Sequence, residues 1–278
     1  MVRRSKPLLL RRQTQAPFPC LHFLLMVLQP IFFVLFAFHL LVQSCLALSY
    51  EQIQEFQALL ADKPIGERIA FWAEKFVGVP YDPDPLGEYV SKATIVADER
   101  MDCMYLTFRT VELSLSHTPD EAVQVALERR FHSKGVLKNG QVVNYDDRFE
   151  YGEDMIGSGK WGKDITSKVG KVTRIKGSRG TDFVEILSPD AFLKGTKNLE
   201  SGDIIFFIKK PEERKREEMV GHIGILKVEK NSKNRGAQDI YLLHASGTKE
   251  KGGAVKKVLL RGYLPKMPFI GVKITRFE

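Results

Sequence analysis

The chain has 278 residues, 42 Lys and Arg against 34 Asp and Glu, a formal charge of +8, and three cysteines. At 44% hydrophobic and 27% charged it has a globular composition, which excludes wholesale disorder. Three cysteines with no CxxC pair argue against a disulfide-stapled scaffold, a thiolate zinc site and a thioredoxin-type redox centre.

The first segment distorts these totals. Residues 1–47 hold five basic side chains (Arg3, Arg4, Lys6, Arg11, Arg12) and no acid, then an apolar run from Leu21 to Val42, then Ser44-Cys45-Leu46-Ala47. This is the pattern of a secretory signal, with cleavage expected after Ala47. The run is also long enough for a membrane anchor, although Gln29-Pro30 and His39 interrupt it. A lipid-modified Cys45 is a third reading, and Val42-Gln43-Ser44-Cys45 matches it poorly. The expectation is therefore an exported protein, periplasmic or secreted, or else membrane-anchored, with residues 48–278 as a single catalytic domain.

Without residues 1–47 the chain carries 37 basic and 34 acidic groups, a charge of +3, with one cysteine and four histidines. The apparent nucleic-acid-binding charge is mostly a targeting charge, and no nucleic-acid partner is expected. The remaining Cys103 can form no internal disulfide. A lone thiol in an oxidising compartment is either buried and inert or kept for chemistry.

Ser49 and Gln52 form a capping box before an amphipathic helix running to about Ala61. A second helix is predicted over Gly66–Phe76, ended by Gly78, after which Val79-Pro80-Tyr81-Asp82-Pro83-Asp84-Pro85 breaks regular structure. A third starts near Cys103 and runs to about Ser116. Thr118-Pro119-Asp120-Glu121 starts a fourth, which ends near Phe131. Residues 141–180 are polar and glycine-rich and are predicted to be irregular, a kind of segment often tied to function. The basic stretch Lys160–Arg179 and the charged insertion Pro211–Val220 read as solvated loops. Strands are predicted over Asp182–Leu187, Asp203–Lys209, His222–Glu229, Ile240–His244, Val255–Leu260 and Phe269–Phe277. Helices first and strands later predict an α+β domain with a mostly antiparallel sheet.

Cys103 follows Asp102 at a predicted helix start, where free N–H groups and the helix dipole favour a thiolate. The plainer reading is a small buried residue. His222 begins one predicted strand and His244 ends the next. A symmetric hairpin centred near residue 233 sets the two opposite each other on one face, close enough for their rings to bond. A thiol nucleophile needs a base, and the base an orienting partner; Cys103, His222 and His244 supply these types. Two structural histidines in a hairpin are the alternative. His117 and His132, at helix ends, read as structural or surface residues. A zinc site built from Cys103, His222 and His244 is the lesser alternative, because no HExxH-like pair appears; no metal or organic cofactor is expected.

Five motifs stand in order: Gly78-Val79-Pro80-Tyr81, Met101-Asp102-Cys103, Gly202-Asp203-Ile204-Ile205-Phe206, Gly221-His222-Ile223-Gly224-Ile225 and His244-Ala245-Ser246. The series resembles the NlpC-type cell-wall cysteine peptidases of papain-like fold, over roughly the whole mature chain. The long spacing, Arg148, Trp161 and the ending Tyr263-Leu264…Gly271-Val272-Lys273-Ile274-Thr275-Arg276 resemble their N-acetylmuramoyl-L-alanine amidase-like branch. The resemblance implies N-terminal helices packed on the sheet, and Cys103, His222 and His244 as nucleophile, base and orienting residue. It implies that Tyr81 lines the pocket, that the Cys103 N–H helps form an oxyanion hole, and that Asp102 positions substrate or helix. Arg148 and Trp161 would contact peptide carboxylate and sugar. Met104 and Tyr105 are bulkier than the small polar residue the family usually carries near the nucleophile, which alters the pocket more than the thiol chemistry.

What the resemblance implies is a peptidoglycan hydrolase cutting an amide of the stem peptide through an acyl-thioester. The alternatives are an endopeptidase cutting D-Glu from the diamino acid with the same triad, a non-catalytic wall-binding or scaffold protein of the same fold, and a membrane-anchored structural protein. The partner is peptidoglycan or a muropeptide.

Overall fold

The computed structural model describes residues 47–231 and 238–278. The expected signal segment up to Leu46, with Cys20 and Cys45, lies outside the described residues. Helices α1 (Tyr50–Leu60), α2 (Ile65–Lys75), α3 (Glu88–Ser91), α4 (Cys103–Ser114) and α5 (Pro119–Arg129) come first. Then follow β1 (Leu137–Lys138), β2 (Gln141–Val142), α6 (Gly152–Ser158), β3 (Lys163–Asp164), α7 (Thr166–Val169), β4 (Thr173–Lys176), β5 (Phe183–Ile186) and α8 (Pro189–Gly195). The last part holds β6 (Ile204–Lys209), β7 (Val220–Lys230), β8 (Gln238–Thr248), β9 (Gly252–Leu259), α9 (Leu260–Tyr263) and β10 (Phe269–Arg276). No helix among the described residues is long and apolar enough to cross a membrane.

The domain is α+β, as the order of elements predicts. Its main sheet has six strands in the order β3-β10-β6-β7-β8-β9, every pair antiparallel. The capping box at Ser49 forms in both directions, and Thr118 caps α5 with Pro119 behind it. Two buried clusters sandwich the sheet. One joins the helices to Ile204, Phe206, Ile223, Ile225 and Leu243. The other holds Ile205, Phe207, Leu226, Leu242 and Val272, together with Leu260 and Leu264 from the connection after β9. The odd and even residues of β6 divide between the clusters, the period of a strand buried on both sides.

The structure departs from the sequence-based expectations in several places. Residues 141–180 are not irregular: they carry β2, α6, β3, α7 and β4, elements of two to seven residues, too short to show a period. Helices α8 and α9 were not expected, although Ser188 caps α8 directly before Pro189. Lys160 is not a free loop charge. Its ammonium donates to the carbonyls of Glu128 (2.9 Å) in the last turn of α5 and of Phe131 (2.6 Å), His132 (3.1 Å) and Ser133 (3.2 Å) in the segment that follows it.

Two motif fragments turn out to be one structural lock. The carboxylate of Asp203, fully buried, accepts from Arg276 Nε (2.6 Å) and Nη2 (2.8 Å), tying the start of β6 to the end of β10. Gly202 has φ of +89°, and a Cβ there would lie 2.4 Å from the backbone of Gly66, so only glycine lets the start of α2 approach.

Candidate active site

Asp102 is the N-cap of α4. Its backbone is extended and its Oδ1 accepts the Tyr105 N–H at 2.6 Å, so Cys103 is the first helical residue. Nearly all of α4 is buried, which fixes the cap in space. Two buried ion pairs add to this: Arg109 with Asp98 at 3.0 Å, and Arg130 with Glu112, a fork of two 2.6 Å bonds.

Tyr81 reaches the same place along an extended segment. Met101 N–H donates to Pro80 O (3.0 Å), Asp82 N–H to Met101 O (3.1 Å), and Tyr81 N–H to Gly253 O (2.9 Å). The Tyr81 ring fills the space over Gly247, where a Cβ would come within 2.6 Å of it. Burial and the nearby Cys103 and Asp102 raise the Tyr81 phenol above its ordinary range.

His222 opens the central part of β7. A β-bulge at Gly221 precedes it: Phe207 pairs with His222, but Ile208 pairs with Val220. Bulges re-aim the residues beside them. Glu153 of α6 secures the bulged end by accepting the N–H groups of Met219 (2.8 Å) and Val220 (3.2 Å). Pairing of β7 with β8 runs from Lys230↔Gln238 to Ile225↔Leu243. Beyond that point the Ile223 N–H is turned to the Cys103 thiol and favours its ionised form. The thiol therefore lies by the split between β7 and β8, next to the residue that follows His222.

The hairpin register differs by one from the expected centre, lying at residue 234 rather than 233. Gly224, not His222, faces His244. His222 lies two residues along the same face, so the imidazoles meet diagonally. His222 Nε2 is 2.8 Å from His244 Nδ1, and the rings stand edge to face with centroids 5.0 Å apart. The pairing that the sequence predicts thus forms, through a different register. Gly224 makes room for it: a Cβ there would stand 3.3 Å from His244 Cβ and 2.5 Å from Leu242 Cδ1.

Burial sets the protonation. It pushes His222 down to about 3, with His244 adding to the fall, and His244 down to about 4, with Lys256 adding. Burial first and the Asp102 carboxylate second push the Cys103 thiol up to about 12; the N–H groups of Ile223, Cys103 and Met104 act the other way without prevailing. The expected lowering of the thiol pKa by the helix start is therefore reversed, because desolvation of the thiolate outweighs the dipole. Asp102 is itself raised to about 6, chiefly by burial. At neutral pH the resting site is a thiol beside two neutral imidazoles.

Tyr263 joins the site as a residue that no local sequence pattern marks for it. Its ring packs on His244, centroids 4.8 Å apart, and burial together with Cys103 raises its phenol. The only sequence signal was its place in the closing motif. Arg148 and Trp161 are engaged elsewhere. Arg148 pairs with Glu150 (2.8 Å) and donates to Tyr145 O (3.0 Å). Trp161 is wholly buried against Phe108 at 4.7 Å, so it is a core residue and offers no face to a sugar. His117 and His132 are exposed, His132 against Phe149 at 4.6 Å. Among the described residues no group of three or more His, Cys, Asp or Glu side chains could hold a metal ion.

No protein-family model matches the chain, and no curated protein matches it by sequence. Solved structures do match its fold. An N-acetylmuramoyl-L-alanine amidase from Bacteroides uniformis is 19% identical with a TM-score of 0.56, over 77% of this chain and 99% of its own. A Legionella pneumophila protein of the DUF1460 family is 16% identical with a TM-score of 0.58, over 81% of this chain and 93% of its own. A protein named as a xylanase, from Bacteroides fragilis, is 17% identical with a TM-score of 0.51, over 75% of this chain and 100% of its own. The chain shares their fold, and the differing names show that fold alone does not fix the substrate.

Proposed function

We propose that the chain is an exported peptidoglycan hydrolase of the NlpC, papain-like kind, cutting an amide of the stem peptide at the lactoyl–L-Ala bond. The observation that carries this reading is the 2.8 Å bond between His222 Nε2 and His244 Nδ1, beside a thiol at a helix start. The amidase named among the fold neighbours supplies the substrate class.

With Nε2 bonded to His244, His222 keeps Nδ1 for the thiol proton. The thiol is not ionised at rest, so the proton moves to Nδ1 as sulfur bonds to the carbonyl carbon. The oxyanion gathers on the Cys103 N–H, with Tyr81 or a neighbour as second donor. The imidazolium returns its proton to the departing amine and the C–N bond breaks, leaving a thioester. Water, deprotonated by His222, then releases the acid and restores the thiol. Asp102 holds the helix start, and His244 holds the imidazole of His222.

The test is digestion of purified sacculi by wild type and by Cys103→Ala, with the soluble products weighed. Wild type should free peptides beginning at L-Ala, and the variant none. Release at equal rates, or release of sugars alone, contradicts the reading.

A further inference from the structure

The connection from β9 to β10 has to cross the sheet, because β8, β7 and β6 lie between those strands. It crosses on the face that carries the imidazoles. Leu260 and Leu264 sink into the cluster on that face, and Tyr263 between them lands on His244. Phe207, paired with His222 across β6 and β7, lies on the same face.

The rings close a circuit. Phe207 is 5.8 Å from His222, His222 5.0 Å from His244, His244 4.8 Å from Tyr263, and Tyr263 5.7 Å from Phe207. Phe269 backs Phe207 at 5.4 Å. Edge-to-face and tilted contacts of this kind favour particular ring orientations.

We propose that Tyr263 and Phe207 are positioning residues, two aromatic walls that hold the His222–His244 pair in its bonded geometry and keep water from it. This rests on the proposed role of the pair in catalysis, but its structural content can be tested without turnover. Tyr263 acts through its ring, since the contact with His244 is a ring contact. Other ionisable groups around the pair are Cys103 and Asp102 at the start of α4, Tyr81 beside them, and Lys256, which faces His244 from β9. They are unchanged by substitution at 263, so a change in the imidazoles reports the wall.

The experiment is NMR titration of the imidazole carbons of His222 and His244 in full-length Cys103→Ala protein, alone and with Tyr263→Phe or Tyr263→Ala added. With Tyr263→Phe both imidazoles should titrate as in the parent. With Tyr263→Ala the His244 midpoint should rise towards the ordinary value of about 6.5 by roughly one unit or more. The backbone amide spectrum verifies the fold of each variant. A Tyr263→Ala protein that is folded and titrates like the parent overturns the proposal, and so does a rise in Tyr263→Phe, which would assign the effect to the hydroxyl. In the active protein Tyr263→Ala should also move the acid limb of kcat/KM upward. If wild type proves inactive on peptidoglycan, the proposed function fails while the titration still decides the role of the ring.

Discussion

His222 and His244 touch across β7 and β8 without facing each other: Nε2 and Nδ1 are 2.8 Å apart, and Gly224 is the residue set against His244. The contact therefore depends on a missing side chain. Gly224→Ala puts a methyl group between Leu242, the Leu243 carbonyl and His244. It should cost about 1–3 kcal/mol, the usual range for overpacking. Urea denaturation measures that cost, and the rate of muropeptide cleavage should fall further than stability alone explains. A variant of wild-type stability and rate would show that the diagonal geometry is not needed.

The thiol is held protonated by burial and by Asp102. Alkylation of Cys103 by iodoacetamide should be slow at pH 8 and keep accelerating well beyond pH 9, the thiol lying near 12. Asp102→Asn keeps a good cap on α4 but removes the negative charge. Its alkylation profile should shift to lower pH. A shift to higher pH would mean that the carboxylate is not what raises the thiol.

The two imidazoles also govern stability in acid. Both have folded-state pKa values below the ordinary 6.5, so between about pH 6.5 and pH 3 the unfolded chain binds more protons than the folded one. Their contribution is complete above about pH 6.5 and is lost on acidification. Asp102, raised to about 6, acts in the opposite direction from about pH 6 to 4. The urea midpoint of wild type should therefore fall faster between pH 7 and 4 than that of a His222→Gln, His244→Gln double variant, in which the Asp102 effect is retained. Parallel profiles would contradict the burial of neutral imidazoles.

Below the site, Arg130 and Glu112 form a buried fork that locks α5 to α4. Removing one partner leaves a buried charge, at a cost of about 3–5 kcal/mol. Glu112→Ala should lose that much in urea denaturation, and Glu112→Leu with Arg130→Met should regain most of it. A loss below about 1 kcal/mol for Glu112→Ala would show that the pair is solvated.

The main elements and the converging residues were legible where the signal is local. Ser49 with Gln52 and Thr118 with Pro119 mark helix starts through their own side chains, and Asp102-Cys103 does the same for α4. His222 and His244 were legible as a pair because a shift of the hairpin centre by one residue moves the partner by two and keeps the face. Tyr263 was not, since its position follows from a crossover that no local pattern encodes. Trp161 was misplaced because an aromatic residue in a polar stretch gives no sign of its burial. The direction of the thiol pKa was missed because the helix start is visible in sequence whereas desolvation is not.

The central claim is that Cys103 attacks the substrate carbonyl. Wild type mixed with a muropeptide and quenched in acid within the first turnover should show, by intact mass and peptide mapping, the acyl half of the substrate as a thioester on Cys103. The adduct should disappear on further incubation and be absent in Cys103→Ala. Turnover by Cys103→Ala, or an adduct on another residue, would contradict the account.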